Sequence, residues 1–250
     1  MIELKNIFKS FNGVNVLEDI SVTFTPGITN LIIGRSGSGK TVLLNSIVGL
    51  HNIDSGEIWY DKILFSELSS MERKPVRQKM GMLFQGSALF DSLTVEENVM
   101  FPLNMFTSQS VGEKRERVNF CLKRVNITEA NKQYPSELSG GMKKRVAIAR
   151  AIVLNPSYLF CDEPNSGLDP MSAIMIDALI KELTEEFNMT TVVNTHDMNS
   201  VMEIGEKVIF ISSGIKCWEG SSDDILQSDC EPLNDFVFAN SLAKKIRAKK

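Results

Sequence analysis

Between a short apolar run, Thr29 to Ile33, and a helical pattern that opens at Gly39 and runs to about Leu50, the chain carries Gly34-Arg35-Ser36-Gly37-Ser38-Gly39-Lys40-Thr41. Strand, glycine-rich loop and helix in that order place the loop at the carboxyl end of a buried strand. The spacing GxxxxGK[ST] has a physical reason. Glycines let backbone N–H groups wrap phosphate oxygens, and the helix N-terminus adds partial positive charge. Lys40 reaches the terminal phosphates, and Thr41 offers a hydroxyl to Mg²⁺.

The strand pattern repeats elsewhere. Tyr158 to Cys161 and Thr191 to Asn194 are short buried-strand runs, each followed by a helix candidate, and Lys207 to Ser212 is one more strand. Strands alternating with helices predict a parallel sheet. Ile2 to Phe8 and Val14 to Phe24 alternate apolar and polar positions instead, which predicts an antiparallel pair with one buried face. From Thr94 to Asn155 the pattern turns helical: Thr94 and Glu97 have capping-box spacing, Gly112 to Val125 is a charged amphipathic helix, and Ser139 to Leu154 is a third. The fold expected is α/β, a P-loop NTPase (RecA-like) core with an antiparallel β subdomain and an inserted α-helical subdomain. Residues 1–85 and 156–222 would form the nucleotide-binding core, 86–155 the helical lobe and 223–250 a helical tail of one domain spanning 1–250.

Tyr158-Leu159-Phe160-Cys161 ends in Asp162 and Glu163. Neighbours on a strand face opposite sides, so two jobs are expected: Asp162 holds Mg²⁺ through its water shell, and Glu163 orients or deprotonates an attacking water. Loop and carboxylates together predict a nucleotide hydrolase. A net charge of −4 and a pI near 5.4 give no electrostatic footprint for nucleic acid, and no partner of that kind is expected. Cys121, Cys161, Cys217 and Cys230 have no metal-ligand spacing and read as reduced thiols packed as small hydrophobes. No apolar run approaches the roughly 20 residues of a membrane span, and Met1 to Ser10 is no signal peptide, so a cytoplasmic chain is expected. Lys244, Lys245, Arg247, Lys249 and Lys250 form either a solvated helix end or a contact for acidic lipid headgroups.

Five further segments, in order along the chain, accompany these motifs: Phe11, Gln85 after the apolar Met80 to Phe84, Leu138-Ser139-Gly140-Gly141-Met142, Asn165-Ser166-Gly167-Leu168-Asp169, and His196 in Asn194-Thr195-His196-Asp197. With them the chain resembles the ATP-binding subunit of an ABC transporter over nearly its whole length. The resemblance implies that Phe11 stacks on adenine, Gln85 senses Mg²⁺ and water at the permease interface, and His196 contacts the γ-phosphate. It implies a head-to-tail, ATP-bridged homodimer, in which Ser139, Gly140 and Gly141 of one chain face the γ-phosphate of the other and Asp169 crosses the interface. It also implies an integral membrane permease, with this chain peripheral on the inner face of the membrane. The apolar segment Gln85 to Leu103 would receive the permease's cytoplasmic helices, with Phe90 and Leu93 serving there or in the core.

A narrower resemblance rests on Ser87 to Val99, Phe101-Pro102-Leu103, Met142 to Ala147 and Ile225 to Asp229. These segments are similar to the ATPase of Mla/MCE-type systems, which implies a phospholipid or other hydrophobic cargo and an MCE-type lipid-binding protein in the complex. The chain departs from that pattern at Asn165, where Thr is usual, and at Asn194, where a small apolar residue is usual. An ATPase of another transporter class is the alternative. A non-transport ATPase is less favoured, because Gln85 to Leu138 leaves no room for a coiled coil or zinc module.

Overall fold

The computed structural model describes residues 1–238; the expected basic cluster at 244–250 lies outside them. Four strands form an antiparallel sheet ordered β2-β1-β4-β5: β1 (Ile2–Phe11), β2 (Val14–Phe24), β4 (Ser55–Tyr60) and β5 (Ile63–Leu64). Six form the central sheet, ordered β10-β9-β3-β8-β7-β6: β3 (Thr29–Ile33), β6 (Met80–Leu83), β7 (Tyr158–Asp162), β8 (Thr190–Thr195), β9 (Lys207–Ser212) and β10 (Ile215–Gly220). All central pairings are parallel except β9 with β10. The helices are α1 (Lys40–Ile47), α2 (Lys74–Arg77), α3 (Val95–Phe106), α4 (Val111–Arg124), α5 (Gly140–Ile152), α6 (Pro170–Glu186), α7 (Met198–Ile204) and α8 (Glu231–Val237).

Strand alternation divides the core. On one face of the central sheet Ile32, Phe160, Val192, Ile209 and Ile211 pack with Leu43, Leu44 and Ile47 of α1 and with the antiparallel sheet. On the other, Leu31, Ile33, Leu159, Cys161, Val193 and Phe210 pack with α5, α6 and α7. β3, β7, β8 and β9 are therefore buried on both sides, as continuous apolar runs require.

The expected strands and the antiparallel pair form, and β1 runs on to Phe11. Thr94 and Ser110 each complete a capping box, fixing the starts of α3 and α4. The lobe is less separate than its composition implies. Val146, Ala147, Ile148, Ala149 and Ile152 of α5 belong to one apolar cluster with Leu83, Leu159 and Cys161 of the sheet. Three strands carry no clear sequence signal. β4 opens on Ser55-Gly56, β5 has two residues, and β10 is an edge strand with every other residue exposed. Of the cysteines, Cys121 and Cys161 are buried as expected, and burial pushes the Cys121 thiol up to about 11. Cys217 departs from expectation by being exposed on β10.

Asp54 closes the junction between β1 and β4: its carboxylate accepts from Lys9 Nζ at 2.7 Å, Ser10 N at 2.6 Å and Ser10 Oγ at 2.7 Å. Those bonds hold its pKa at about 2 against an ordinary 3.8. A carboxylate lowered in the folded state contributes stability above its unfolded pKa and loses it as pH falls toward the folded one. Melting curves of the parent and Asp54→Ala should therefore differ at pH 6 and converge between about pH 4 and 2; a pH-independent gap would show that the carboxylate charge is not what holds the junction.

Candidate functional site

The carboxyl ends of β3, β7 and β8 lie side by side, with Ile33 opposite Thr195 and Asp162 opposite Asn194. Gly34 follows β3 at φ +153°, where a Cβ would stand 2.2 Å from the Ile211 carbonyl oxygen, so no other residue fits. Gly39 ends the loop at φ +103° and caps α1 without a side-chain bond, and no acidic residue occupies the first turn. The N–H groups there are left for an anion. Lys40 is buried and curls back, its Nζ donating to the carbonyls of Gly34 at 2.9 Å and Arg35 at 3.1 Å. Burial draws its pKa down, while Glu163 and Asp162 pull it up. Ser38 Oγ is buried without a partner, a polar atom aligned with a phosphate-binding role.

This loop floors a cavity of about 380 Å³ whose walls include Val16, Gly37, Thr41, Gln85, Glu163 and His196. Arg35 and Ser36 also border a neighbouring cavity of about 710 Å³ shared with Glu163 and His196. Asp162 and Glu163 do point apart, by a means other than strand alternation. β7 ends at Asp162, and Glu163 takes φ +48°, a left-handed conformation that costs on the order of 1–3 kcal/mol for a residue with a Cβ. Its N–H donates to the Asn194 carbonyl at 2.9 Å, and its carboxylate lies 2.8 Å from His196 Nδ1. Asp162 turns instead to Thr41, whose Oγ1 donates to Asp162 Oδ1 at 3.3 Å. One hydroxyl beside one carboxylate suits Mg²⁺ held jointly with phosphate and water, since Mg²⁺ prefers few protein ligands. Among the described residues no group of three His, Cys, Asp or Glu side chains forms a closed cage.

Gln85 is exposed beyond β6, its Nε2 donating to Ser166 Oγ at 3.4 Å. The backbone from Gln85 to Ala88 is held by two cations of α5 that the sequence presents only as part of a basic helix. Lys144, 4% exposed, donates to the Gln85 carbonyl and, at 3.4 Å, to that of Glu163. Arg150 donates to the carbonyls of Ser87 and Ala88, both at 2.8 Å. Ser87 and Ala88 have φ of +64° and +47°, so the guanidinium holds two consecutive left-handed residues in place. Asn165 Nδ2 donates to Ser200 Oγ at 2.9 Å and ties the turn after Glu163 to α7, the helix after His196.

The remaining sequence candidates stand apart from these cavities. Phe11 is exposed at the hairpin end, edge-on to His51 at 5.4 Å and with Lys9 Nζ 5.1 Å from its ring centre. Val16 and Val42 are the apolar residues that line the smaller cavity. Ser139 caps α5 by accepting from Met142 N at 3.3 Å, and Asp169 caps α6 by accepting from Ser172 N at 3.0 Å and Ser172 Oγ at 2.6 Å. At Gly140 and Gly141 a Cβ would meet only ordinary contacts, at 3.5 Å and 3.6 Å, so this chain's own packing does not demand glycine there.

A family model described as "ABC transporter" matches residues 17–166. The methionine import ATP-binding protein MetN of Carboxydothermus hydrogenoformans is 38% identical over 98% of this chain and 73% of that protein. A probable ribonucleotide transport ATP-binding protein, mkl, of Mycobacterium leprae is 34% identical over 94% of this chain and 68% of that one. The chain spans between 60% and 75% of the length of the methionine-import relatives it matches. Among solved structures, a dimeric ATP-binding cassette in a post-hydrolysis state with ADP and Pi superposes with a TM-score of 0.82 at 35% identity, over 89% of this chain and 99% of that one.

The clamp on the Gln85 segment can be tested without any ligand. Arg150→Ala strips the charged donors from two carbonyls in strained conformations and should lower stability by about 1–3 kcal/mol. Amide exchange should rise locally over residues 86–90. Unchanged exchange there would show that Arg150 does not hold the segment.

Proposed function

The chain belongs to the ABC transporter ATPase family, whose members hydrolyse ATP with Mg²⁺ to power transport, and on that footing we propose that it is the ATPase subunit beneath a membrane permease, with the residues gathered at the ends of β3, β7 and β8 as its catalytic centre. The observation that carries the assignment is the Glu163–His196 contact of 2.8 Å at the rim of the cavity floored by the glycine-rich loop.

ATP phosphates lie along the N–H groups of Gly34 to Thr41 and the N-terminus of α1, with Arg35, Ser36 and Ser38 contributing to the cradle. Lys40 exchanges the Gly34 and Arg35 carbonyls for phosphate oxygens. Thr41 and Asp162, with Gln85 at the open side, would hold Mg²⁺, which would supply charge neutralisation at the transferring phosphoryl group. Glu163 accepts a proton from water as the water oxygen bonds to the γ-phosphorus and the bond to the ADP oxygen breaks. His196 orients Glu163 and contacts the γ-phosphate. Phe11 supplies a stacking face for the base from the side, and Val16 an apolar wall.

The dimer belongs to the same reading. Ser139, Gly140 and Gly141 open α5 on the surface, and a second copy's γ-phosphate would complete that anion site, with Asp169 beside it. Gly140 and Gly141 support this, since their small size leaves room that the chain itself does not fill. The exposed Phe90–Phe101 ring pair, with Phe84, Met105 and Phe106 also exposed in the same stretch of chain, fits a permease's cytoplasmic helices and would hold the chain on the inner membrane face. No helix among the described residues is long and apolar enough to cross a membrane itself. The relatives' names, methionine import and ribonucleotide transport, favour a small polar solute as cargo over the phospholipid, with its MCE-type partner, that the narrower sequence resemblance implies. The ATPase of another transporter class is thus the better supported reading.

Glu163→Gln keeps side-chain size but not the proton acceptor, and should slow hydrolysis by about 10²–10⁴-fold. ATP binding should survive, and ATP with Mg²⁺ should convert the variant into a long-lived dimer on a sizing column. Hydrolysis at the parent rate would remove Glu163 from catalysis, and ATP binding without any dimer, even when the permease is supplied, would remove the shared-site arrangement. A separate measurement tests the membrane surface. Phe90 is 42% exposed and meets Phe101 in a tilted ring contact at 4.7 Å, so it is not core. Phe90→Asp should fold, bind ATP and fail to co-purify with the permease; normal co-purification would place the docking surface elsewhere.

A further inference from the structure

Asn194 sits on β8 between Ile32 of β3 and Asp162 of β7. Its neighbours along this face, Ile32, Phe160 and Val192, are apolar core residues. Asn194 is fully buried, and a buried amide in such a row is costly unless its donors are used. Both are used, and on the two groups assigned to Mg²⁺. Asn194 Nδ2 donates to Asp162 Oδ1 at 2.6 Å and to Thr41 Oγ1 at 3.1 Å. The opposite amide orientation would set a carbonyl oxygen against a carboxylate oxygen, so the charge on Asp162 selects this one.

The valences leave room for a cation. Thr41 has one hydroxyl proton and two lone pairs: the proton goes to Asp162, one lone pair to Asn194, and the second is free. Asp162 Oδ2 accepts none of these bonds. A single forked donor therefore fixes both groups at 3.3 Å from each other while sparing an acceptor on each. Without it, Asp162 would be held by the Thr41 hydroxyl alone, on a side chain free to rotate. Asn194 Oδ1 is buried with no partner, so the amide is retained at a cost that packing does not explain.

We infer that Asn194 is a positioning residue for Mg²⁺, which presets Thr41 and Asp162 in metal-binding geometry before nucleotide and metal arrive. This rests on Thr41 and Asp162 being the Mg²⁺ side chains. The glycine-rich loop holds the phosphates independently of Asn194, so the residue acts on the gain in ATP affinity that Mg²⁺ provides and not on ATP binding itself. Preset ligands lose less freedom when the ion binds, which is where the gain arises.

The test measures the Kd of a fluorescent ATP analogue in magnesium chloride and in EDTA, for the parent, Asn194→Val, Asn194→Thr and Thr41→Ala. Val and Thr have the same shape, and only Thr retains a donor. For Asn194→Val the ratio of the two Kd values should fall by about tenfold, equivalent to about 1.4 kcal/mol, with the EDTA value within about twofold of the parent. Asn194→Thr should lose about threefold, less than Val because one hydrogen bond remains. A parent-like ratio in Asn194→Val, or equal weakening in both buffers, overturns the proposal, the second outcome marking a merely structural role. If Asn194→Val does not fold, Asn194→Thr decides by the same two criteria. If the parent itself gains nothing from Mg²⁺, or Thr41→Ala keeps the parent ratio, the metal assignment fails and the proposal with it, a result distinct from failure of Asn194 alone.

Discussion

The site depends on the parallel register of β3, β8 and β7. That register sets Ile33 opposite Thr195 and Asp162 opposite Asn194, so three chain segments distant in sequence leave the sheet at one edge. Each segment then turns in its own way. β3 passes into Gly34, where the Ile211 carbonyl excludes any side chain. β7 passes into Glu163, which leaves the strand through a left-handed conformation. β8 ends at Thr195, and His196 meets Glu163 before α7 begins. Slipping β8 by one residue would point Asn194 and Val192 to the opposite face, breaking the contact with Thr41 and the core at once. Core packing and site geometry therefore enforce the same register.

The second constraint is the burial of α5. Its apolar face belongs to the core shared with the central sheet, while its N-terminus at Ser139 stands at the surface. From this one helix Lys144 reaches the backbone of Gln85 and Glu163, and Arg150 reaches Ser87 and Ala88. A displacement of α5 is thus felt at Glu163 and in the Gln85 segment together. The expected lobe is connected by a buried cation and a shared core, the connection needed if a partner's phosphate at Ser139 is to be sensed at the Gln85 surface. Screening by solvent is weak at Lys144, where burial lowers the pKa and Asp162 and Glu163 work against it.

How much of this was legible follows from where each constraint resides. The loop Gly34 to Thr41 is readable because its residue types are dictated locally, by positive φ and by chemistry at fixed spacing. Asp162 and Glu163 are readable as a pair at a strand end, but the left-handed turn that separates them is not, since nothing in Asp-Glu-Pro announces it. β5 escapes because two residues hold no period, β10 because an edge strand with Ile215 and Cys217 on its exposed side gives no apolar-in, polar-out alternation, and β4 because it opens on the turn-forming Ser55-Gly56. Lys144 and Arg150 escape because their partners are backbone carbonyls, which have no sequence signature. Phe11 is a case that local pattern does not decide: an aromatic at that place reads as a base platform, while Val16 and Val42 line the cavity and Phe11 is exposed at the hairpin end beside Lys9 and His51.

Asn194 illustrates why a departure from a family pattern carries more information than agreement with it. Read along the chain, an amide in an apolar strand is a local conflict, and conflicts of that kind accumulate at functional sites because only function offsets their cost. The pattern alone points no further, since the amide could face either layer of the protein. The register directs it toward α1, whose first residues are Lys40 and Thr41. Once there, the negative charge of Asp162 decides which end of the amide meets it. Three independent constraints, sheet register, the position of α1 and the sign of one charge, converge on a single arrangement, and none of them is visible at position 194 itself.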